Sequence, residues 1–268
     1  MKQQQIIFRD YILRAPLALA FERFVESELY RSAFLRGPVL DLGCGEGLFA
    51  SLVFETPFDF GVDPNQHELD RARQNGGHKE LLCSKGDAIP LPEGVAATII
   101  SNSVFEHIPD VDAVFKECGR LLQPGGRLFI TIPTDKFEEY TFSFTLLNFF
   151  RLYRLRDLFR EKFNSFWVHF HAYPPEKWVQ KIESNGFSVE RMTVYQPRWA
   201  CMLNTALTPL ALPAFLVKRL TNDWFFFTWL RRPLAWLLRP LAPLLSKATC
   251  ANEGGLVFFE LKKNGDCA

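Results

Sequence analysis

The six cysteines of this 268-residue chain form no C-x-x-C pair, and its His and Cys positions show no metal-ligand spacing. Cys44, Cys83, Cys118, Cys201, Cys250 and Cys267 stand far apart. That scatter excludes a zinc ribbon or a disulfide framework and suits free thiols in a reducing compartment. Charge of one sign is lacking too. The formal net charge is +1, so nothing draws the whole chain toward nucleic acid or acidic partners. The first residues run into Arg9, Asp10 and Arg14 without an uninterrupted apolar segment or a small-residue cleavage site. The expectation is a protein without a signal peptide that stays in the cytoplasm. No internal repeat is expected.

Hydrophobic residues make up 48%, enough for a well-filled core, and global disorder is excluded. The length fits one α/β domain with sizeable additions, or two very small domains. The 27 Phe and 6 Trp are concentrated beyond position 136.

Apolar periodicity predicts a helix over 8–35, with Pro16 in a first helical turn and Gly37-Pro38 as its end. Short apolar strands are expected at 39–42, 58–62, 81–84, 96–101 and 127–132, with helices between them. The clearest helix carries Val111, Val114, Phe115, Cys118, Leu121 and Leu122 on one face, with Pro124-Gly125-Gly126 as its stop. This alternation implies a doubly wound parallel sheet. Ligands of such sheets sit at the carboxyl ends of the strands, near the point where strand order reverses. Farther on, 135–172 is rich in Phe and Arg, 176–184 reads as a helix, and 187–195 and 256–262 read as strands.

Gly43, Gly45 and Gly47 lie between the first strand and a helix beginning near Leu48. Glycine admits positive φ and a close ligand, and amides at a helix start face anionic or polar groups. Alone, this is equally an ordinary strand-to-helix turn. The dinucleotide spacing G-x-G-x-x-G requires glycine at 48, where Leu48 stands. The pattern here is G-x-G-x-G, preceded by Asp41. Asp63 ends the second strand, where a carboxylate can accept from both hydroxyls of a ribose. Asp87 ends the third, where one can meet an exocyclic amine. Each acid by itself also reads as a solvated loop residue or a helix cap. At successive strand ends they point to one ligand.

The stretch from Val39 to Gly47 resembles the first motif of class I S-adenosylmethionine-dependent methyltransferases. Gly61-Val62-Asp63-Pro64 and the runs Gly86 to Pro92, Ser101 to Pro109 and Leu121 to Leu128 are similar to the motifs that follow it. Their order and spacing look like the small-molecule branch (the type 11 domain), whose members methylate lipids, quinones, sugars and natural products. The resemblance covers about 37–134 and extends weakly to 174–195 and the last strand.

The resemblance implies a Rossmann-like seven-stranded sheet, mostly parallel with an antiparallel last strand, helices on both faces, and S-adenosylmethionine as cofactor. It implies that Asp41 and the amides of Gly43, Cys44, Gly45 and Gly47 line the methionine portion. Asp63 would hold the ribose and Pro64 the adenine, with Asp87 and Ala88 at the adenine edge. Asn102 and Ser103 would approach the methionine end and the substrate. Methyl transfer from a sulfonium is an in-line displacement, so catalysis rests on alignment and exclusion of water. A base matters only when the nucleophile must lose a proton. His107 is the candidate catalytic residue, and it reads equally well as a loop residue before the next helix. His169 and His171 are expected to be structural or to contact substrate. No metal site is expected.

The expected organisation is a helical cap over 1–36 and a cofactor-binding domain over 37–196 and 255–264. That domain would carry an acceptor-pocket insertion at 135–172. An apolar, basic, Trp-rich helical insertion would occupy 197–254. Residues 198–251 hold seven basic side chains against one acid, Asp223, and 199–217 is free of charge for nineteen residues. A bilayer span needs about 20. Asn204, Pro209 and Pro213 count against a simple spanning helix. Trp224, Trp229 and Trp236 near clustered arginines fit a segment lying among lipid headgroups. A protein-packed lid, a dimer interface and a true span stay open beside that reading. The segment is too apolar for nucleic acid.

The expected function is methyl transfer to a small, apolar or lipid-like acceptor at the cytoplasmic face of a membrane. Two alternatives stand beside it. One is a non-catalytic S-adenosylmethionine-binding scaffold recruiting a partner through the apolar insertion. The other is a nicotinamide-dependent oxidoreductase, disfavoured by Leu48 and by the acid ahead of the glycines. The acceptor atom and the oligomeric state stay open.

Overall fold

The alternating apolar runs assemble into one seven-stranded sheet in the computed structural model, which describes residues 2–167, 170–221, 223–225 and 227–265. The strands are β1 (Val39–Leu42), β2 (Phe58–Asp63), β3 (His78–Cys83), β4 (Ala96–Asn102), β5 (Leu122–Pro133), β6 (Phe187–Tyr195) and β7 (Leu256–Lys263). Their order is β3-β2-β1-β4-β5-β7-β6. Parallel pairing joins β3 to β2, β2 to β1, β1 to β4 and β4 to β5, whereas β7 runs antiparallel to β5. The doubly wound, mostly parallel sheet with an antiparallel last strand is as expected. All of β1 and every residue of β4 but Asn102 are buried, as a strand covered on both faces requires. The order reverses between β1 and β4, and that crevice is where a ligand belongs.

Two expected boundaries differ. Pro124-Gly125-Gly126 does not stop the helix Val111–Leu121: β5 begins at Leu122 and contains all three residues. The register passes from Ala96↔Leu122 to Thr98↔Arg127, so extra residues bulge out of the strand at the point where Gly125 adopts φ +70°. The helix ends instead because Leu122 turns to extended backbone. Near the N-terminus, 8–35 is two helices, Lys2–Arg14 and Leu17–Ser32, parted at Ala15-Pro16. Proline has no N–H to continue a helix and is pre-set to begin one.

The chain forms two compact units. The sheet unit comprises Ala33–Asp135 with the described parts of Val168–Thr193 and Leu256–Ala268. The helical unit gathers Met1–Ser32, Lys136–Trp167 and Val194–Gly255, three segments that read as separate additions along the sequence. Phe8 packs on Phe21 and Phe24 at its centre, with ring centroids 5.9 and 5.0 Å apart. The stretch Arg198–Thr221 is long and apolar enough to cross a membrane by length and composition. Half of the large exposed apolar side chains among the described residues fall within 198–251.

The helical unit also buries charge. The Glu26 carboxylate accepts from Arg23 Nη1 at 2.6 Å and from the Tyr195 hydroxyl at 3.1 Å. Beside them, burial and then the Glu26 charge push Glu22 from 4.5 up to about 7, with Arg23 opposing. A carboxyl raised on folding stabilises below its unfolded value and loses that contribution as pH rises through the folded one. Stability is therefore expected to fall between pH 4.5 and 7, by up to roughly 3 kcal/mol from this residue. Thermal melts of the native chain and of Glu22→Gln across that range check it. The glutamine variant should flatten the decline, and parallel curves would refute the assignment.

Candidate cofactor site at the strand-order switch

The carboxyl ends of β1, β2 and β4 surround a cavity of about 650 Å³ within the sheet unit. That size suits a nucleoside-sized ligand. Gly43, Asp63, Pro64, Asp87, Ser103 and His107 all line it, so six of the sequence-predicted residues meet in one place. Asp41, Cys44, Gly45, Gly47, Ala88 and Asn102 do not form its wall.

The glycine turn works differently from a cradle of free amides. Gly43 and Cys44 both donate to the Val62 carbonyl, at 2.7 and 3.0 Å. Gly47 donates to the Cys44 carbonyl, and Gly45 donates to Asp63 Oδ2 at 3.0 Å. These four amides are committed inside the turn, so its glycines act through backbone shape. Gly43 (φ +75°) requires glycine twice over, because a Cβ there would lie 2.4 Å from Val104 Cγ2.

Asp63 is held from two sides, with Oδ1 accepting from the Asn65 amide at 2.8 Å. Its carboxyl is nevertheless raised, chiefly by burial and further by Glu68 and Asp41, against the lowering effect of the two amides. Each oxygen of this half-buried carboxylate accepts one amide and retains lone pairs for more. Ligand hydroxyls would complete it.

Asp41 is buried elsewhere. His78 Nε2 donates to Asp41 Oδ2 at 2.9 Å, and neither side chain reaches solvent appreciably. The ring gets there by lying over Gly61 of β2, where a Cβ would sit 2.7 Å from His78 Cδ2. Asp41 thus anchors β1 to β3 across the middle strand. The sequence reading missed His78; the signal was Gly61, since glycine inside a strand marks close approach.

Ser103 leaves β4 with φ +54°, pinned by its amide to the carbonyl and Oγ1 of Thr131. Asn102 Oδ1 accepts from Thr131 Oγ1, while its buried Nδ2 has no acceptor among the described residues. The turn that follows, Phe105–His107, brings His107 to the cavity. His107 Nε2 lies 3.7 Å from Glu106 Oε1, beyond hydrogen-bond length. His171 binds the wall from behind: Nε2 donates to the Ile108 carbonyl at 2.9 Å, and Nδ1 meets the Tyr173 hydroxyl at 3.0 Å. His169 lies outside the described residues. Asp110, also in the lining, caps the next helix by accepting from the Ala113 amide.

Asp63, Asp87 and Asp110 line the cavity together with Lys85 and His107. Three carboxylates repel a pyrophosphate, and the turn presents no free amides at 43, 44, 45 or 47 to hold one. A cationic, phosphate-free nucleoside meets no such opposition. The acceptor set therefore fits S-adenosylmethionine: a cavity-lining carboxylate, Asp63, that retains lone pairs for a ribose. Among the described residues no group of His, Cys, Asp or Glu is placed to hold a metal.

Comparison with known proteins agrees. The methyltransferase domain model matches residues 40–130. A ubiquinone biosynthesis O-methyltransferase of Coxiella burnetii is 28% identical over 110 residues, covering 39% of this chain and 47% of that protein. The mitochondrial enzyme of the same description from Homo sapiens is 27% identical over 190 residues, covering 63% of this chain and 47% of its own length. The chain thus spans about half the length of these curated relatives. A solved S-adenosylmethionine-dependent methyltransferase of Thermotoga maritima, described as a possible histamine N-methyltransferase, shares the fold. Its TM-score is 0.56 at 17% identity, covering 92% of each chain.

Proposed function

Because residues 40–130 belong to the methyltransferase-domain family, we propose that the protein is an S-adenosylmethionine-dependent methyltransferase with an apolar or lipid-like acceptor. The observation that carries the donor half is the half-buried Asp63 carboxylate, which lines the cavity at the switch point. When bound, S-adenosylmethionine supplies an electrophilic methyl group on a sulfonium.

The chain's own residues then bind, orient and exclude water. Asp63 would accept from the ribose hydroxyls, Pro64 would cover the adenine, and Asp87 would meet the adenine amine. Gly43, Ser103 and Val104 would wall the methionine side. His107 has the chemistry to take a proton from a hydroxyl acceptor, and Glu106, 3.7 Å away, would stabilise the resulting imidazolium. An acceptor already nucleophilic needs neither.

The acceptor class is inferred from the helical unit. Its exposed Trp229, Trp236 and Leu237 stand among arginines, an arrangement suited to lipid headgroups. The curated relatives named for ubiquinone biosynthesis support a lipid-like acceptor in the same direction. We place the protein at the cytoplasmic face of a membrane. Incubation with methyl-labelled cofactor and a lipid extract is expected to leave label in the organic phase. Calorimetric binding of NADH without binding of S-adenosylmethionine would overturn the assignment.

A further inference from the structure

Within the helical unit, helix Lys2–Arg14 and helix Arg232–Leu238 enclose a second cavity, of about 690 Å³. Four cations line it, Lys2, Arg9, Arg232 and Arg239, with no carboxylate among its described lining residues. Asp10 pairs with Arg9 at 2.7 Å from outside that lining. Asp10 offsets one of these charges and leaves three, so the groove is an electropositive surface that favours an anion.

Their arrangement is regular. Lys2 and Arg9 are seven residues apart, and so are Arg232 and Arg239. Seven residues make two helical turns, so each pair shares a face and is separated by about 10 Å along its helix. The second pair comes from a repeat that went unnoticed along the sequence, Arg232-Pro-Leu-Ala-Trp-Leu-Leu followed by Arg239-Pro-Leu-Ala-Pro-Leu-Leu. Arg239 Nε donates to Gln5 Oε1 at 3.2 Å, while Arg231 Nη1 donates to the Ala15 carbonyl at 2.9 Å. These bonds fix the two helices antiparallel. Arg239 therefore lies toward the Lys2 end of the first helix and Arg232 toward its Leu13 end.

Between the charged ends the wall is apolar, including Ile6 and the 75% exposed Trp236. A free phosphate has no use for that surface, whereas an amphiphile places its anion on the cations and its chains along the Trp236 side. Leu237, next along the helix and 66% exposed, extends the apolar rim.

We propose that this groove binds the headgroup of an anionic phospholipid in a bilayer, making it the element that docks the helical unit on anionic membrane. The inference rests on the membrane reading above and sharpens it to one site.

Flotation of the full-length protein tests it, using vesicles of phosphatidylcholine alone and of phosphatidylcholine with about one third phosphatidylglycerol. The native chain is expected to partition to the anionic vesicles. Arg232→Gln with Arg239→Gln should weaken that partition about 30-fold, about fivefold for each charge removed. Lys218→Gln with Arg219→Gln, which removes the same charge outside the groove, should cost less than about threefold. Equal loss in both double variants means diffuse attraction and overturns the site. Retention by the groove variant overturns it while sparing the membrane reading. Failure of the native chain to float with either vesicle overturns both. Displacement by inorganic phosphate at ionic-strength-matched concentration would identify a free-anion site and sink the lipid assignment. Acrylamide quenching of Trp236, compared with Trp236→Phe, reads the same docking without altering charge: protection on anionic vesicles is expected, and undiminished quenching counts against the groove.

Discussion

Asp63→Ala is expected to raise the dissociation constant for S-adenosylmethionine roughly 10- to 100-fold, the effect of losing hydrogen bonds to a charged group. The carboxylate is the one group that joins the glycine turn, through the Gly45 amide, to the start of the next helix, through Asn65. The substitution therefore removes a ligand contact and two internal ones. Calorimetry should report the first, and a lowered melting temperature the second. Asp63→Asn keeps an acceptor for one amide and should recover much of the stability but little of the affinity. The raised carboxyl adds a pH signature. Cofactor binding favours the ionised form, so affinity should fall in acid at a higher pH than an ordinary aspartate would give. Asp63→Asn should abolish that dependence. Binding within roughly threefold of native in the alanine variant would remove Asp63 from the site.

Gly43→Ala is expected to be the most damaging single methyl added to the turn. Its Cβ would meet Val104 Cγ2 at 2.4 Å and Cγ1 at 2.7 Å, in a backbone held at φ +75°. The left-handed conformation costs about 1–2 kcal/mol, and overpacking about 1–3 more. Together these approach the stability of a whole domain, which is about 5–15 kcal/mol. Gly45→Ala is the control. It shares positive φ, at +51°, but its Cβ would meet nothing within 4 Å, so only the backbone cost applies. Val104→Ala in the Gly43→Ala background should restore roughly half of the loss, because it removes the overlap and leaves the strain. Denaturant unfolding of the native chain and the three variants decides it. Equal costs at 43 and 45 would falsify the claim that Val104 closes on the turn.

Gly43 and Asp63 were legible because each stands at the end of an apolar run of strand length, and parallel strands all end on one side of the sheet, whereas Asp87 lies four residues beyond the end of β3, in the turn that follows it. The role of Asp41 was not legible. Its partner His78 comes from the strand two places away and reaches it only because Gly61 leaves the space open. Val104, whose side chain bars a methyl at Gly43, carried no sequence signal either, since a valine after a strand looks like any core residue. The expected stop at Pro124-Gly125-Gly126 erred for a related reason: those residues break helices and also bulge strands, and only pairing with β4 selects the bulge.

By itself, the sequence determined the alternation of strands and helices, the parallel sense of the first five strands and the glycine turn after β1. All of these follow from periodicity and from residue types at strand ends, which are local properties. Only the tertiary structure decided which of the candidate acids line the cavity and that the turn's amides are spent within it. It also decided that three segments remote in sequence share one helical unit. The basic groove belongs to the same class. Lys2 and Arg239 stand 237 positions apart in the numbering, and no local pattern could have set them side by side. Side-chain burial and charge pairing depend on which elements pack together, and that choice is made by the fold as a whole.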